Sequence, residues 1–288
     1  MDADKPPSQA FRRTLQDLSH RMLSTLTSFL LSALVFNVVR GTVIVPQAPP
    51  SDHIFHTSSD VPTGRNATIA GVNTYINTPP EGAFDPTRAV VILMDIFGFG
   101  STDNFTDTWA KAGFATYMPD YFLGDPFPQD GSIANDAWHL NHTEAITTPP
   151  LLAVLDALRV QGIQQIGVSG YCFGGLYATR LTQNNTVAVA TMAHPSSLAI
   201  PDDYILVKAN STVPVQINSG EFDTGFTPAL AEQTDELMVG YAPGYNHMAW
   251  AGVGHGFAVS ANASDPVAVA AKEGSFEVMS SWISAHFV

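Results

Sequence analysis

The segment GVSGYCFGG, residues 167–175, constrains the fold more than any other part of this chain. Four glycines in nine residues exclude the interior of a regular helix or strand, where glycine loosens the backbone. Within it Cys172 comes directly after a short apolar run, and the segment leads into LYATRL, which is typical of a helix. These features predict a strand that turns directly into a helix, with Cys172 at the apex in strained backbone geometry. So sharp a turn leaves no room for side chains beside the apex, which accounts for the glycines.

Strands and helices alternate along the chain after residue 60. Apolar runs closed by glycine predict buried strands, whereas 3.6-residue spacing between Pro and Gly predicts helices. The predicted strands lie within 71–80, 89–98, 114–122, 186–195, 213–223 and 245–257, and the clearest predicted helices are 149–162 and 273–287. This alternation predicts an α/β fold with a mostly parallel sheet covered by helices on both faces. Residues 123–147, rich in Pro, Asp, Asn and His, are predicted to form a loop or small cap over one end of the sheet.

Composition excludes several classes of function. The chain of 288 residues is 45% hydrophobic and 13% charged, which is typical of a packed globular protein. Its net charge of −14 and its scattered 12 basic residues exclude a nucleic-acid partner, because phosphate binding needs clustered Lys and Arg. A single cysteine excludes an intramolecular disulfide and a zinc site built from cysteines.

The N-terminal part resembles a secretory targeting segment. Residues 23–39 carry no charge, and Arg12, Arg13 and Arg21 precede them. We therefore predict a tail at 1–22, a signal peptide or signal-anchor with membrane association at 23–39, a Pro-containing linker at 40–60, and one domain at 61–288. A buried core helix at 23–39 is the alternative, and Met22 is a possible second start.

Six N-x-S/T glycosylation acceptors support passage through the secretory lumen. They are Asn66, Asn104, Asn141, Asn184, Asn210 and Asn262. Together with the N-terminal segment, they predict a membrane-anchored protein with a lumenal or extracellular domain, or a secreted protein if the segment is cleaved.

Cys172 is a candidate nucleophile because a helix N-terminus favours a thiolate. In a turn of this kind a carboxylate and then a histidine follow along the chain. Asp223 follows an apolar strand and His255 lies in a glycine-flanked loop, whereas Glu221 is a rival for the carboxylate role. The alternative is that Cys172 merely fills a tight strand–helix junction. The other histidines considered as the base are His139, His142, His194, His247 and His286.

At these residues the chain resembles the dienelactone hydrolase family over about residues 61–288. The matching motifs are D-I-F-G at 95–98, G-Y-C-F-G-G at 170–175, G-E-x-D at 220–223 and G-H-G-F at 254–257. The resemblance implies one α/β-hydrolase domain without a metal or organic cofactor. It also implies a Cys172–His255–Asp223 triad, with the backbone N–H groups of Ile96 and Phe173 as the oxyanion hole. The substrate pocket is expected to include Phe97, Tyr121, Tyr171, His194 and Phe257.

The chain departs from the family pattern at two places. The bacterial enzymes that give the family its name carry Glu before I-F-G as a proton relay, and here Asp95 stands in that position. They also hold a substrate carboxylate with two arginines. Here Val259 replaces one of them, and 114–148 contains no Arg for the other. Arg180 or Lys208 is the alternative source of the missing cation.

These observations predict an esterase or lactonase that acts through a thioester on a small-molecule substrate. The substrate is expected to be uncharged near the reacting ester and to have a good leaving group. Two alternatives are kept. One is biosynthetic acyl transfer or cyclisation at the same triad, and the other is a non-catalytic binding protein.

Overall fold

The computed structural model describes residues 42–44 and 63–288. The tail at 1–22, the hydrophobic segment at 23–39 and most of the predicted linker lie outside the described residues, so targeting and membrane association stay predictions. Within 63–288, no helix is long and apolar enough to cross a bilayer.

The described residues form nine strands in one sheet, ordered β1-β9-β8-β7-β6-β4-β5-β3-β2. The strands are β1 (Thr42–Ile44), β2 (Arg65–Ile69), β3 (Val72–Asn77), β4 (Arg88–Leu93), β5 (Ala115–Pro119), β6 (Gln165–Tyr171), β7 (Val189–Ala193), β8 (Val215–Phe222) and β9 (Tyr245–Gly254). Every neighbouring pair from β1 to β5 is parallel, and only the pairs β5–β3 and β3–β2 are antiparallel. The predicted α/β fold with a mostly parallel sheet is confirmed.

Seven helices lie within residues 63–288. They are α1 (Phe99–Lys111), α2 (Asn135–Asn141), α3 (Glu144–Val160), α4 (Gly174–Gln183), α5 (Asp202–Asn210), α6 (Pro228–Met238) and α7 (Pro266–His286). Helices cover both faces of the sheet, as contacts from side chains on opposite faces show. Ser169 contacts α7, whereas Met192, which lies on the opposite face, contacts α4 and α5. The central strands β4, β6 and β7 are therefore buried on both sides, which explains their uninterrupted apolar runs.

Two local features, at β1 and at the start of α3, differ from the sequence-based expectations. Strand β1 lies inside the stretch predicted as linker, where the apolar triplet Thr42–Ile44 pairs with the edge of β9. Helix α3 begins at Glu144, ahead of the predicted start at Pro149, and Arg180 binds the Glu144 carboxylate in its first turn. The predicted cap contains the short helix α2.

Five of the six glycosylation acceptors have exposed side chains: Asn66, Asn141, Asn184, Asn210 and Asn262. The side chain of Asn104 is not among those described. Glycosylation stays a prediction, because exposure permits a glycan without demonstrating one.

Candidate active site

The strand–helix turn at Cys172 has the strained geometry that the glycines predict. Strand β6 ends at Tyr171 and α4 begins at Gly174, and Cys172 between them has φ +50°. A Cβ on Gly170 would lie 2.4 Å from the Gly174 carbonyl oxygen, and one on Gly174 would lie 2.0 Å from the Leu93 carbonyl oxygen. Only glycine fits at these positions, so the packing around the turn determines both residues.

The turn brings Cys172 against His255 and Asp223 beyond the carboxyl ends of neighbouring parallel strands. His255 Nε2 lies 3.1 Å from Cys172 Sγ, and His255 Nδ1 lies 2.9 Å from Asp223 Oδ1. Asp223 directly follows β8 and His255 directly follows β9. Backbone N–H groups of Gly225 and Phe226 donate to the same Asp223 oxygen at 2.7 and 3.0 Å. Three hydrogen bonds thus fix the carboxylate that orients the histidine.

The electrostatics of this array favour the charged forms of His255 and Asp223. Burial acts to lower the pKa of His255, but its hydrogen bonds to Asp223 and Cys172 and its charge interactions with them raise it to about 10. Burial acts to raise the pKa of Asp223, but the hydrogen bond and charge of His255 lower it below its usual value. At neutral pH these shifts favour a protonated His255 beside an ionised Asp223.

The two predicted oxyanion donors lie at the ends of β4 and β6. Within the part of the chain that the structure describes, neither the Ile96 N–H nor the Phe173 N–H has a hydrogen-bond acceptor. The Phe173 N–H stands at the start of α4, where helix N–H groups are free and the helix dipole attracts negative charge. The Phe127 N–H donates to the Ile96 carbonyl at 2.7 Å and fixes that peptide. Both N–H groups are thus available to an oxyanion.

Asp95 lies just beyond β4, the neighbour of the strand that ends at the nucleophile. Its side chain is buried, and its Oδ1 accepts the Phe97 N–H at 2.8 Å. The carboxylate is thereby oriented at the same end of the sheet as Cys172.

The predicted pocket residues fall into two groups. Phe97 is partly exposed and can contact a substrate, but Tyr121 and Tyr171 are fully buried. The Tyr121 hydroxyl donates to the Met94 carbonyl at 2.7 Å, and the Tyr171 hydroxyl accepts from Trp109 at 3.2 Å. Both tyrosines are therefore core residues and present no surface to a substrate.

His194 and Phe257, the remaining pocket candidates, pack behind the triad. The His194 ring is fully buried at 5.0 Å from the His255 ring and 5.6 Å from the Phe257 ring. Neither His194 nitrogen has a hydrogen-bond partner among the described residues. Burial and the nearby His255 lower the pKa of His194 to about 3, so this ring is neutral at physiological pH. His194 therefore packs against His255 as a neutral ring.

Ser196 is a residue of the site that the sequence did not indicate. Its Oγ lies 3.5 Å from Cys172 Sγ, and its backbone N–H donates to the Cys172 carbonyl at 3.0 Å. It follows β7, whose carboxyl end lies beside that of β6. The signal in the sequence that could have indicated Ser196 is its position just after the strand next to β6, where α/β sheets place their functional residues.

The cap packs on the nucleophile turn through aromatic rings. Rings of Trp138 and His139 on α2 lie 5.7 and 5.2 Å from the Phe173 ring. His142 stacks on Trp138 at 3.8 Å and its Nδ1 lies 2.8 Å from the Trp138 carbonyl. The cap next to Phe173 is therefore aromatic.

The remaining rivals for the triad roles have other partners. Glu221 accepts the Gly252 N–H at 2.8 Å, and His286 Nδ1 lies 2.8 Å from the Trp282 carbonyl. His247 belongs to a separate buried array: its Nε2 lies 2.7 Å from Ser219 Oγ, and its Nδ1 lies 2.9 Å from Asp235 Oδ2.

The two proposed alternative cations also have other partners. Arg180 binds Glu144 and the buried Asp203. Lys208 donates to two backbone carbonyl groups at the end of α6, at 2.6 and 3.1 Å. Neither contact lies at the triad. Among the described residues, no group of three or more His, Cys, Asp or Glu side chains could hold a metal ion.

Comparisons with known proteins find related hydrolases. The hydrolase pyvD of Aspergillus violaceofuscus is 28% identical over 228 residues, which cover 77% of this chain and 90% of that protein. Dienlactone hydrolase 1 of Gibberella moniliformis is 27% identical over 234 residues, covering 77% of this chain and 87% of that protein.

Solved structures share the fold. A dienelactone hydrolase-like promiscuous phosphotriesterase from metagenomic libraries superposes with a TM-score of 0.63 at 17% identity, covering 78% of this chain and 99% of that chain. The esterase Est2 of Thermogutta terrifontis gives 0.55 at 14% identity, covering 78% and 92%. The sequence profile of the dienelactone hydrolase family matches residues 72–287. The chain therefore belongs to the dienelactone hydrolase family and is an ester or lactone hydrolase.

Proposed function

We propose that the chain hydrolyses a lactone or an activated ester through Cys172 as nucleophile and a thioester intermediate. One observation carries the proposal, the continuous array of Cys172 Sγ, His255 and Asp223 with contacts of 3.1 and 2.9 Å. A nucleophile hydrogen-bonded to a base that a carboxylate orients is the arrangement that acyl transfer needs.

Acylation begins from a thiolate beside an imidazolium. The raised pKa of His255 supports this ion pair, in which the cysteine proton resides on His255 or on a relay. Asp95 is the proposed relay, since its buried carboxylate lies at the same sheet edge. The sulfur attacks the substrate carbonyl and forms a tetrahedral oxyanion.

The Ile96 and Phe173 N–H groups would receive that oxyanion. Each such donor is worth about 3–4 kcal/mol in comparable sites. Collapse of the intermediate expels the alcohol or enol oxygen, to which His255 can return a proton. Water deprotonated by His255 then attacks the thioester, and the C–S bond breaks to release the acid and restore the thiolate.

The proposed substrate is uncharged near its reacting ester. Val259 replaces one cation of the family, and Arg180 and Lys208 are held elsewhere in the described structure. A buried carboxylate without a cationic partner is strongly disfavoured, so an anionic dienelactone should bind poorly.

The leaving group should be an enol, phenol or thiol. In the tetrahedral intermediate the departing oxygen competes with thiolate, which itself leaves readily. A simple alkoxide loses that competition unless it is protonated during departure.

The test uses the full chain with neutral enol lactones, their carboxylated analogues, aryl esters, thioesters and simple alkyl esters. We expect kcat/KM to be highest for neutral enol, aryl or thiol leaving groups, and intact mass to show an acyl adduct on Cys172. The Cys172→Ala variant, which should neither turn over nor form the adduct, is the control. A preference for carboxylated lactones or alkyl esters would overturn the substrate assignment. A cyclised or transferred product instead of free acid would favour biosynthetic acyl transfer.

A further inference from the structure

The residues after β7 form a segment that is clamped to the nucleophile. The Cys172 N–H donates to the Ala193 carbonyl at 3.2 Å, and the Ser196 N–H donates to the Cys172 carbonyl at 3.0 Å. These two bonds prolong the pairing of β6 with β7 past the strand ends. They fix the backbone of Ser196 relative to that of Cys172.

This segment also carries backbone strain on both sides of Ser196. His194 has φ +39° and Ser197 has φ +60°, a region that non-glycine residues seldom adopt. Pro195 between them packs so tightly on α4 that a Cβ on Gly175 would lie 2.5 Å from the Pro195 Cβ. Backbone strain of this kind persists only where the surrounding contacts hold the residue in place. It is most frequent at functional sites.

The clamped segment places the Ser196 hydroxyl against the sulfur. Ser196 Oγ lies 3.5 Å from Cys172 Sγ, within the range of hydrogen bonds to sulfur. Among the described residues, this hydroxyl has no other hydrogen-bond partner. His255 Nε2 approaches the same sulfur at 3.1 Å. The sulfur therefore has a second potential donor that is neutral and cannot take its proton at physiological pH.

We infer that Ser196 is a further catalytic residue, whose hydroxyl donates a hydrogen bond to the Cys172 thiolate and holds the sulfur in its ionised form. The inference rests on the proposed role of Cys172. Hydrogen bonds to an ion are stronger than those to a neutral group, so the hydroxyl favours thiolate over thiol.

The same hydrogen bond serves both halves of the reaction. It stabilises the attacking thiolate before acylation. In deacylation, hydroxide oxygen bonds to the thioester carbonyl carbon, the C–S bond breaks, and its electron pair leaves with sulfur. Ser196 donates to that departing thiolate, while the proton of the attacking water resides on His255.

The test exploits the single cysteine of the chain, because alkylation by iodoacetamide and the ultraviolet absorbance of thiolate report on Cys172 alone. In Ser196→Ala the midpoint of thiolate formation should rise by about one pH unit, a tenfold smaller thiolate fraction below the midpoint. Its kcat/KM should fall about tenfold below the midpoint and recover as pH rises.

Two matched variants separate this role from a structural one. Ser196→Thr keeps the hydroxyl and should restore the wild-type midpoint. Ser197→Ala makes the same chemical change at the next, exposed position and should titrate as wild type. An unchanged midpoint in Ser196→Ala, or a loss of activity that does not recover at high pH, would overturn the inference.

Failure of the inference and of the proposed function are distinguishable. If Cys172→Ala abolishes turnover while Ser196→Ala titrates as wild type, the nucleophile stands and the role of Ser196 falls. If Cys172→Ala keeps wild-type turnover, the proposed function falls whatever Ser196 does.

Discussion

Strands β8 and β9 contribute to two arrays of hydroxyl or thiol, histidine and carboxylate, which have similar contact distances and opposite surroundings. In one, Cys172 Sγ, His255 and Asp223 are joined by contacts of 3.1 and 2.9 Å. In the other, Ser219 Oγ, His247 and Asp235 are joined by contacts of 2.7 and 2.9 Å. By distance alone the serine array is the tighter of the two.

Their surroundings separate them. Ser219 and His247 lie within strands and are each 3% exposed, whereas Cys172 is partly exposed beyond the end of β6. The cysteine lies beside two N–H groups that have no acceptor among the described residues. Asp235 also accepts the Tyr245 hydroxyl at 2.8 Å, which makes the serine array part of the packing of α6 on β9.

The comparison teaches that a nucleophilic atom, a histidine and a carboxylate in line do not by themselves identify an active site. A reacting carbonyl also needs access and donors for its oxyanion. Those requirements are met past the carboxyl ends of the strands and not within them.

The largest expected difference between the two arrays comes from replacing Cys172 or Ser219 with alanine. Cys172→Ala should abolish turnover, a loss of about 10⁶-fold by comparison with other removed nucleophiles. Ser219→Ala should keep kcat/KM within about threefold and lose about 1 kcal/mol of stability with its buried hydrogen bond. Steady-state kinetics and urea denaturation measure both. Substantial activity in Cys172→Ala would contradict the assignment of Cys172 as the nucleophile and of Ser219 as a structural residue.

Replacing Asp223 or Asp235 with asparagine should affect activity in the first case and stability in the second. Asp223→Asn should lower kcat by about 10⁴-fold, because an amide no longer selects the histidine tautomer that the base needs. Asp235→Asn should leave kcat nearly unchanged but destabilise the fold by about 2 kcal/mol, since one donor to Asp235 then faces an NH₂ group. Equal activity losses in the two variants would show that the arrays are coupled.

Asp95 is the proposed proton relay at the cysteine site. We propose no such relay for the serine array. Asp95→Ala should lower kcat/KM by about 10²–10³-fold, within the range of general acid–base catalysis. Asp95→Asn should be nearly as inactive if the group transfers a proton, and Asp95→Glu should be the most active substitution. A fully active Asp95→Asn enzyme would reduce Asp95 to an orienting group.

The last expected effect concerns the pH dependence of stability and leaves the triad residues unchanged. His194 has a pKa of about 3 in the folded protein and 6.5 as its reference value, so the unfolded chain binds more protons between these values. Stability should therefore fall as pH drops through this range, by up to about 1.4 kcal/mol per pH unit from this group.

His194→Phe removes that titration. The difference in unfolding free energy between wild type and variant should widen in favour of the variant from pH 6.5 toward pH 4. Urea denaturation across this range measures it. A constant difference would show that His194 gains a proton in the fold as readily as in the unfolded chain.

Much of the fold and of the triad could be predicted from the sequence, because the signals are local. The glycines around Cys172 and the apolar runs of β4, β6 and β7 reflect requirements within a few residues of each position. The order of Asp223 and His255 after the nucleophile, each at a strand end, is also readable along the chain.

Other parts of the site depend on strand register and on which way each side chain points. Tyr121 and Tyr171 looked like pocket residues but point into the core, where their hydroxyls find partners. Ser196 reaches Cys172 only because β7 pairs with β6 in the observed register.

The sequence by itself determined which residues could do chemistry, because a thiol, an imidazole and a carboxylate are properties of single residues, and a glycine turn is a property of neighbours. The tertiary structure decided which of them lie together at an accessible position. His247 and His255 carry the same side chain in the same part of the chain, and only packing buries one within strand β9 and leaves the other beside a partly exposed sulfur. Access, desolvation and unoccupied N–H donors arise from contacts between segments far apart in sequence, and no local pattern encodes them.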